Sequence, residues 1–159
     1  MTLPAPTRSI QAHLEANGVA YRHVVHEPTP TSEDSARARG EPLVTGAKAL
    51  VLKADARFIN LVLRPTCRLD SPATRRALGA KKLRFATPEE LLELTGLVPG
   101  SVPPFGAPIL DLPLHVDDSL ASHDRVAFNA GDLRHSVVMG TEDYLRVAAP
   151  TARGAYSKG

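Results

Sequence analysis

Cysteine is almost absent: the 159 residues contain one, Cys67. A single thiol cannot close an internal disulfide and cannot furnish a cysteine-rich zinc site, which points to a reducing compartment. Long apolar runs are missing as well. No stretch approaches the roughly 18 residues that a membrane-spanning helix needs, and the opening MTLPAPTRSIQ lacks a basic segment followed by an apolar one. A cytoplasmic protein without membrane association is the expectation. Charge of one sign is equally scarce, because 19 Lys and Arg against 17 Asp and Glu leave a net charge of +2. That is too little for general nucleic-acid binding, so any contact with a polyanion must be local, and DNA is not an expected partner.

Several chemistries are excluded by missing motifs. There is no G-x-G-x-x-G, Walker loop or G-x-S-x-G, which removes the usual nucleotide-binding and serine-hydrolase readings. His13, His115 and His123 lack Glu-x-x-His or His-x-x-x-His spacing. His23 and His26 stand three apart on an expected strand, which sends them to opposite faces. Neither a metal nor another cofactor is therefore expected. Cys67 has no base near it in sequence and reads as an incidental thiol.

What the sequence does contain is an ordinary globular composition, 43% hydrophobic and 23% charged, which argues against disorder. The length suits one domain over residues 1–159, with 151–159 a frayed tail. SIQAHLEANG reads as a helix capped by Ser9, and VAYRHVVHE as a strand. The proline-flanked PTPTSEDSARARGEP opens a helix at Thr31 or Ser32. KALVLKA and FINLVLRP form a hairpin across DAR. Two helices follow, capped at Ser71 and at Thr87, each with proline at the next position and with KKLRFA as a short strand between them. PILDLPLHVD, RVAFNAG and HSVVMG read as strands, and TEDYLRVA as a closing helix capped at Thr141. The class is mixed α/β, a curved sheet or partial barrel flanked by helices.

Four stretches carry candidate chemistry. Lys48, in TGAKALVLK, puts an ammonium at the mouth of an apolar strand beside Thr45 and Gly46; three donors on a compact cation suit a phosphate or a carbonyl. A solvated strand-end lysine is the plain alternative. GSVPPFG (Gly100, Ser101, Val102, Pro103, Pro104, Phe105, Gly106) mixes flexible and locked positions that could aim backbone N–H groups at a developing oxyanion, or simply make a turn. FNAGDLRHS places a turn at Asn129-Ala130-Gly131 before His135 and Ser136; the imidazole could orient a substrate or a water, or merely pack. Arg75, Arg76, Lys81, Lys82 and Arg84 gather in RRALGAKKLR, either to meet a phosphate backbone or as a solvated face.

GAKALVLK, GSVPPFG and FNAGDLRHS, in that order, resemble the YbaK family, free-standing relatives of the bacterial prolyl-tRNA synthetase editing domain. The similarity runs from HVVHEPTPTSEDSARARG to TEDYLRVA. The resemblance implies that Lys48 faces the substrate pocket, that the loop from Gly100 to Pro104 supplies backbone donors, and that His135 lies near the aminoacyl group. It implies hydrolysis of mischarged aminoacyl-tRNA by water, with a hydroxyl of the terminal ribose helping to activate that water, and no serine or cysteine nucleophile. The expected partners are the aminoacylated 3′ end of tRNA and a synthetase that would recruit it, the enzyme acting in trans. GAKAL stands where cysteine-removing members commonly have a Lys-Thr pair, and RHS resembles the alanine-removing branch. The expected substrates carry alanine, serine or threonine, with Thr45, His135 and Ser136 as partners for a substrate hydroxyl and prolyl-tRNA excluded by size. A non-catalytic tRNA- or synthetase-binding module of the same fold, and a small DNA-binding protein using the Arg75 to Arg84 cluster, are the rival readings.

Overall fold

The computed structural model describes residues 2–29 and 31–159. Met1 and Pro30, the latter one of the prolines expected to flank the second helix, lie outside the described residues. The chain begins with helix α1 (Ala5–Ala16), strand β1 (Tyr21–Val25) and helix α2 (Ser32–Arg39). A 3-10 turn at Leu43–Thr45 leads into the hairpin β2 (Lys48–Ala54) and β3 (Arg57–Leu63). Then come β4 (Arg68–Leu69), α3 (Ser71–Leu78), β5 (Leu83–Phe85) and α4 (Pro88–Thr95). After a long loop follow β6 (Leu114–Asp117), β7 (Arg125–Asp132), β8 (His135–Gly140), α5 (Thr141–Ala148), β9 (Ala152–Gly154) and β10 (Ser157–Lys158).

Two sheets carry the fold. One has the order β5-β2-β3-β6-β9, antiparallel from β5 to β3 and parallel from β3 to β9; the other is the antiparallel set β1-β8-β7. A parallel bridge between Gly46 and Ala127 joins them at the mouth of β2. The expected mixed α/β class holds. No helix among the described residues is long and apolar enough to cross a membrane.

Local signals explain most element ends. Thr87 caps α4 by accepting from the Glu90 N–H while the Glu90 carboxylate accepts from the Thr87 N–H, a complete capping box with Pro88 in the first turn. Thr31 likewise caps α2. Three other caps differ from the sequence expectation. Ser9 lies inside α1, which starts behind Pro4; Asp70, not Ser71, accepts from the Ala73 N–H; and Thr141 follows the N-cap Gly140, its hydroxyl donating instead to the His123 carbonyl. For Thr141 a competing acceptor distant in sequence redirects the hydroxyl.

Other differences have packing causes. Asn129, Ala130 and Gly131 continue β7 rather than turning; a bulge falls between Asn129 and Asp132, and the turn comes after it. Gly131 sits at φ +78° with Pro6 Cβ occupying the place where its own Cβ would stand, so α1 crosses the bulge where no side chain fits. Of PILDLPLHVD only Leu114–Asp117 is strand, because Ile109 and Leu110 turn back to donate to the Gly106 carbonyl. The C-terminal segment is not frayed. β9 pairs with β6, β10 pairs with β4, and Tyr156 is 3% exposed within the apolar cluster of Leu52, Ile59, Leu61 and Leu63.

Arg64 ties these parts together. It is fully buried, and it donates from Nη1 to the Thr45 and Arg125 carbonyls at 2.8 and 2.9 Å and from Nη2 to the Leu120 and His123 carbonyls at 2.7 and 3.1 Å. Longer contacts reach the Gly46 and Ser119 carbonyls and the Thr141 hydroxyl. Among the described residues no carboxylate lies at ion-pair distance from it. Burial pushes its pKa down to about 10, so it remains a cation at neutral pH, stabilised by neutral acceptors, chiefly carbonyl dipoles. Arg64→Met is expected to orphan several buried carbonyls and to lower unfolding free energy by about 3 kcal/mol or more. Arg64→Lys, with three donors, is expected to fall between. Urea midpoints measure both, and a loss under about 1 kcal/mol for Arg64→Met would contradict the role.

Candidate active site

The bridge between the sheets and the short reach of β5 leave a stretch of the β2 edge open. Even-numbered residues of β2 turn their backbone groups toward β3, while odd-numbered ones turn the other way, where Val51 accepts from the Ala86 N–H and Asp55 donates to the Lys82 carbonyl. On that same edge the Ala47 N–H donates to the Ala127 carbonyl of β7. Ala49 falls between the two, with neither β5 nor β7 opposite it. Its N–H and C=O thus face a cavity of about 500 Å³ walled in part by Lys48 to Val51.

Lys48, the first residue of β2, is exposed at this cavity. Among the described residues its ammonium has no carboxylate at ion-pair distance. Across the cavity stands Gly100, at φ +89°, a conformation that non-glycine residues rarely adopt. Ser101 to Gly106 beyond it are all buried. The loop is held from behind: Asn60 Nδ2 donates to the Pro103 and Phe105 carbonyls, Tyr144 Oη donates to the Pro104 carbonyl, and Asn129 Nδ2 donates to the Gly100 carbonyl at 2.7 Å. The Ser101 N–H is already committed to the Val98 carbonyl, and its hydroxyl donates to the same acceptor. Among the described residues the Gly100 and Val102 N–H groups have no such acceptor, and both residues line the cavity.

A second cation lies at the back wall. Arg39, 8% exposed at the end of α2, donates from Nε to the Ser136 hydroxyl at 2.8 Å and from Nη2 to Asn129 Oδ1 at 3.0 Å. Burial pulls its pKa down to about 10, against the pull of nearby Glu41. Glu41 itself pairs with Arg22 and Arg125. Arg39, Asn129 and Gly100 are thereby linked in series, so that the buried guanidinium fixes the amide that fixes the loop. Ser35 and Thr29, both buried on the wall, share a hydroxyl hydrogen bond of 2.8 Å.

The residues singled out in the sequence divide accordingly. Gly46, Lys48, Gly100, Val102 and Asn129 meet at the cavity. Thr45, His135 and Ser136 are buried away from its wall: Thr45 Oγ1 donates to the Pro42 carbonyl, and Ser136 Oγ is shared by Arg39, Asn129 and His26. Ser101 and Gly131 border a separate, shallower depression. Pro103, Pro104, Phe105 and Gly106 form the buried support of the loop, with Phe105 stacked edge-on against Phe128 and Tyr144. Arg75, Arg76, Lys81, Lys82 and Arg84 lie exposed on α3, on the approach to β5 and in β5 itself, though Arg84 is forked onto Glu90 at 2.7 and 3.0 Å. Arg39, Ser35, Thr29 and the edge of Ala49 were not singled out by sequence.

His23 and His26, expected on opposite faces, both engage β8. His23 Nε2 meets His135 Nδ1 at 2.9 Å with the rings stacked, and His26, one residue past the end of β1 where the alternation lapses, reaches Ser136 at 2.7 Å.

Comparison with known proteins places these features in a wider set. A family profile described as an aminoacyl-tRNA editing domain matches residues 26–147. The multifunctional Ser/Thr-tRNA deacylase ProXp-y of Escherichia coli strain K12 is 38% identical over 146 residues, covering 87% of this chain and 86% of that protein. A proline–tRNA ligase of Shouchella clausii is 32% identical over 130 residues, which span 82% of this chain but only 22% of the ligase. A crystal structure of a candidate trans-editing enzyme for prolyl tRNA synthetase superposes with a TM-score of 0.83 at 28% identity, covering 99% of this chain and all of that one.

The histidine pair yields an expectation about pH. A 2.9 Å nitrogen–nitrogen contact holds one proton between the rings, and burial first, then electrostatic repulsion from His135 and His26, lowers the His23 pKa. The unfolded chain therefore binds the proton more readily than the folded one. Stability present above the ordinary histidine value near 6.5 is lost as pH falls through the folded value. Urea midpoints should drop between pH 7 and pH 5, and His23→Gln should flatten that drop. An unchanged slope in the variant would remove His23 from it.

Proposed function

Because the chain belongs to the aminoacyl-tRNA editing domain family, we propose that it hydrolyses the ester bond of tRNA mischarged with a small amino acid, alanine, serine or threonine. The observation that carries this reading is the convergence of Lys48, the free Gly100 and Val102 amides and the unpaired edge of Ala49 on one cavity. Water attacks the aminoacyl carbonyl, and the two amides stabilise the oxyanion that forms. Both are preset by the Arg39–Asn129–Gly100 series, so no reorganisation is needed when charge develops. Lys48 holds a phosphate or the carbonyl of the incoming 3′ end as a point charge on a rigid strand.

With His135 tied to His23 and off the cavity wall, the substrate's own ribose hydroxyl relays the water's proton to the ribose oxygen that leaves as the ester C–O bond breaks, giving free amino acid and tRNA. Cys67 is not on the cavity wall and plays no part. The Ala49 carbonyl accepts from the substrate's α-ammonium. A seryl or threonyl hydroxyl pairs with Ser35 and Thr29, in place of the partners expected from sequence. The Escherichia coli relative is named for seryl and threonyl removal, which favours this arm. The likeness to a proline–tRNA ligase segment supports a role beside that synthetase, with tRNA supplied in trans.

Deacylation of alanyl-, seryl-, threonyl- and prolyl-tRNA is the measurement. Lys48→Ala is expected to lower kcat/KM by about 100-fold, corresponding to ~3 kcal/mol for a charged contact, and Lys48→Arg to restore little, because a planar fork does not replace a point charge. Prolyl-tRNA hydrolysed as fast as the best small substrate, or wild-type activity in Lys48→Ala, would overturn the assignment.

Ser35→Ala separates the substrates. It should lower seryl and threonyl turnover by about 10-fold relative to alanyl, the worth of one lost hydrogen bond. Unchanged ratios would show that the hydroxyl binds elsewhere.

A further inference from the structure

Phe85 is 57% exposed, while Phe105 and Phe128 are 1% exposed in the core and Phe58 lies under the Lys53 ammonium. It ends β5, the outermost strand of its sheet, and it lines the same cavity as Lys48 and Gly100. The strand is not loosely attached. The Asp55 carboxylate accepts from the Lys81 and Lys82 N–H groups at 3.1 and 2.9 Å, and the Arg84 fork is closed on Glu90. A rigidly mounted aromatic face is thus presented to solvent at the rim, directly after a run of exposed cations.

That combination has a specific use. Exposed Lys81 and Lys82, with Arg75 and Arg76 behind them on α3, make a local positive track in a protein whose net charge is only +2. Arg84 is neutralised by its partner and does not belong to that track. The exposed first turn of α4 carries Glu89 beside the paired Glu90, so a polyanion is favoured on the α3 side of Phe85 and disfavoured on the other. Aromatic faces next to a cationic groove bind unpaired bases by stacking, with phosphates following the cations. A small aminoacyl group leaves much of a cavity of about 500 Å³ unfilled, and in an aminoacylated 3′ end the ribose esterified to that group carries the base.

We propose that Phe85 is the stacking platform for the terminal nucleobase of the acceptor end, with Lys81 and Lys82 holding the phosphates that lead to it. This rests on the deacylase reading. The base lies on Phe85 at the rim, the ribose enters past Lys48, and the ester reaches the Gly100 and Val102 amides.

The test uses a seryl-RNA hairpin ending in adenosine and the same hairpin ending in an abasic ribose, which keeps the ester and the ribose hydroxyl but removes the base. Phe85→Ala should lower kcat/KM on the adenosine end by about 10-fold or more, as stacking on an aromatic predicts, and leave the abasic end unchanged. Phe85→Trp should retain activity, and Phe85→Leu, which is apolar but has no π face, should lose it. Equal losses on both ends would mean a structural role, and no loss on either would mean that the ring serves another partner, such as a protein surface; each overturns the proposal. A hairpin carrying 2-aminopurine as its last base reads stacking without turnover. Its fluorescence should be quenched by wild type and not by Phe85→Ala, and equal quenching overturns the proposal whether or not the hairpin is hydrolysed. Wild type that leaves both seryl hairpins intact would instead sink the deacylase reading itself.

Discussion

A guanidinium with no carboxylate partner holds the two sheets in register. Arg64 sits at the end of β3 and gathers carbonyls from the mouth of β2, from the turn between β6 and β7 and from the start of β7. Burying a cation is costly unless its hydrogen bonds are complete, so the chain must bring all of these segments together or none. The Gly46–Ala127 bridge lies beside this cluster, and the cavity opens beside the bridge. The geometry around Lys48 is thus set in part by a buried interaction that lies off the cavity wall.

Arg39 repeats the device on a smaller scale. It too is buried and bonded to neutral acceptors, and it too acts through backbone position, here by way of Asn129 to the Gly100 carbonyl. The difference lies in placement: Arg64 is wholly enclosed, whereas Arg39 forms part of the cavity wall. One arginine shapes the site, and the other adds positive potential inside it.

Much of this was legible in short stretches of sequence. Thr87-Pro88-x-Glu90 specifies a helix start by local hydrogen bonds alone, and the paired apolar runs around Asp55 specify a hairpin. Lys48 and Gly100, which line one cavity, stand out in sequence because a lysine before a core strand and a glycine among prolines are unusual in themselves. Arg39 was not found, because its meaning depends on β7 and β8, some 90 residues away in the chain. The open edge at Ala49 has no side-chain signature at all; it exists because β5 stops pairing where it does. His135 and Ser136 were visible as polar residues in an apolar strand, but the pattern does not say that β1 and α2 would supply their partners. The tail failed for a related reason: its polar letters conceal one tyrosine that anchors it in the core.

An unpaired strand edge is ordinarily a hazard, since it offers another chain a template on which to add a strand. Here the gap is one residue wide, closed at one end by β7 and at the other by β5, and sunk inside a cavity whose rim bears Lys48. No extended segment of a second molecule can lie along it for the several residues that sheet growth requires. The recess therefore keeps this stretch of β2 from serving as a template for a strand of another chain, and lengthening the gap by shortening β5 would widen the recess at the cost of that protection.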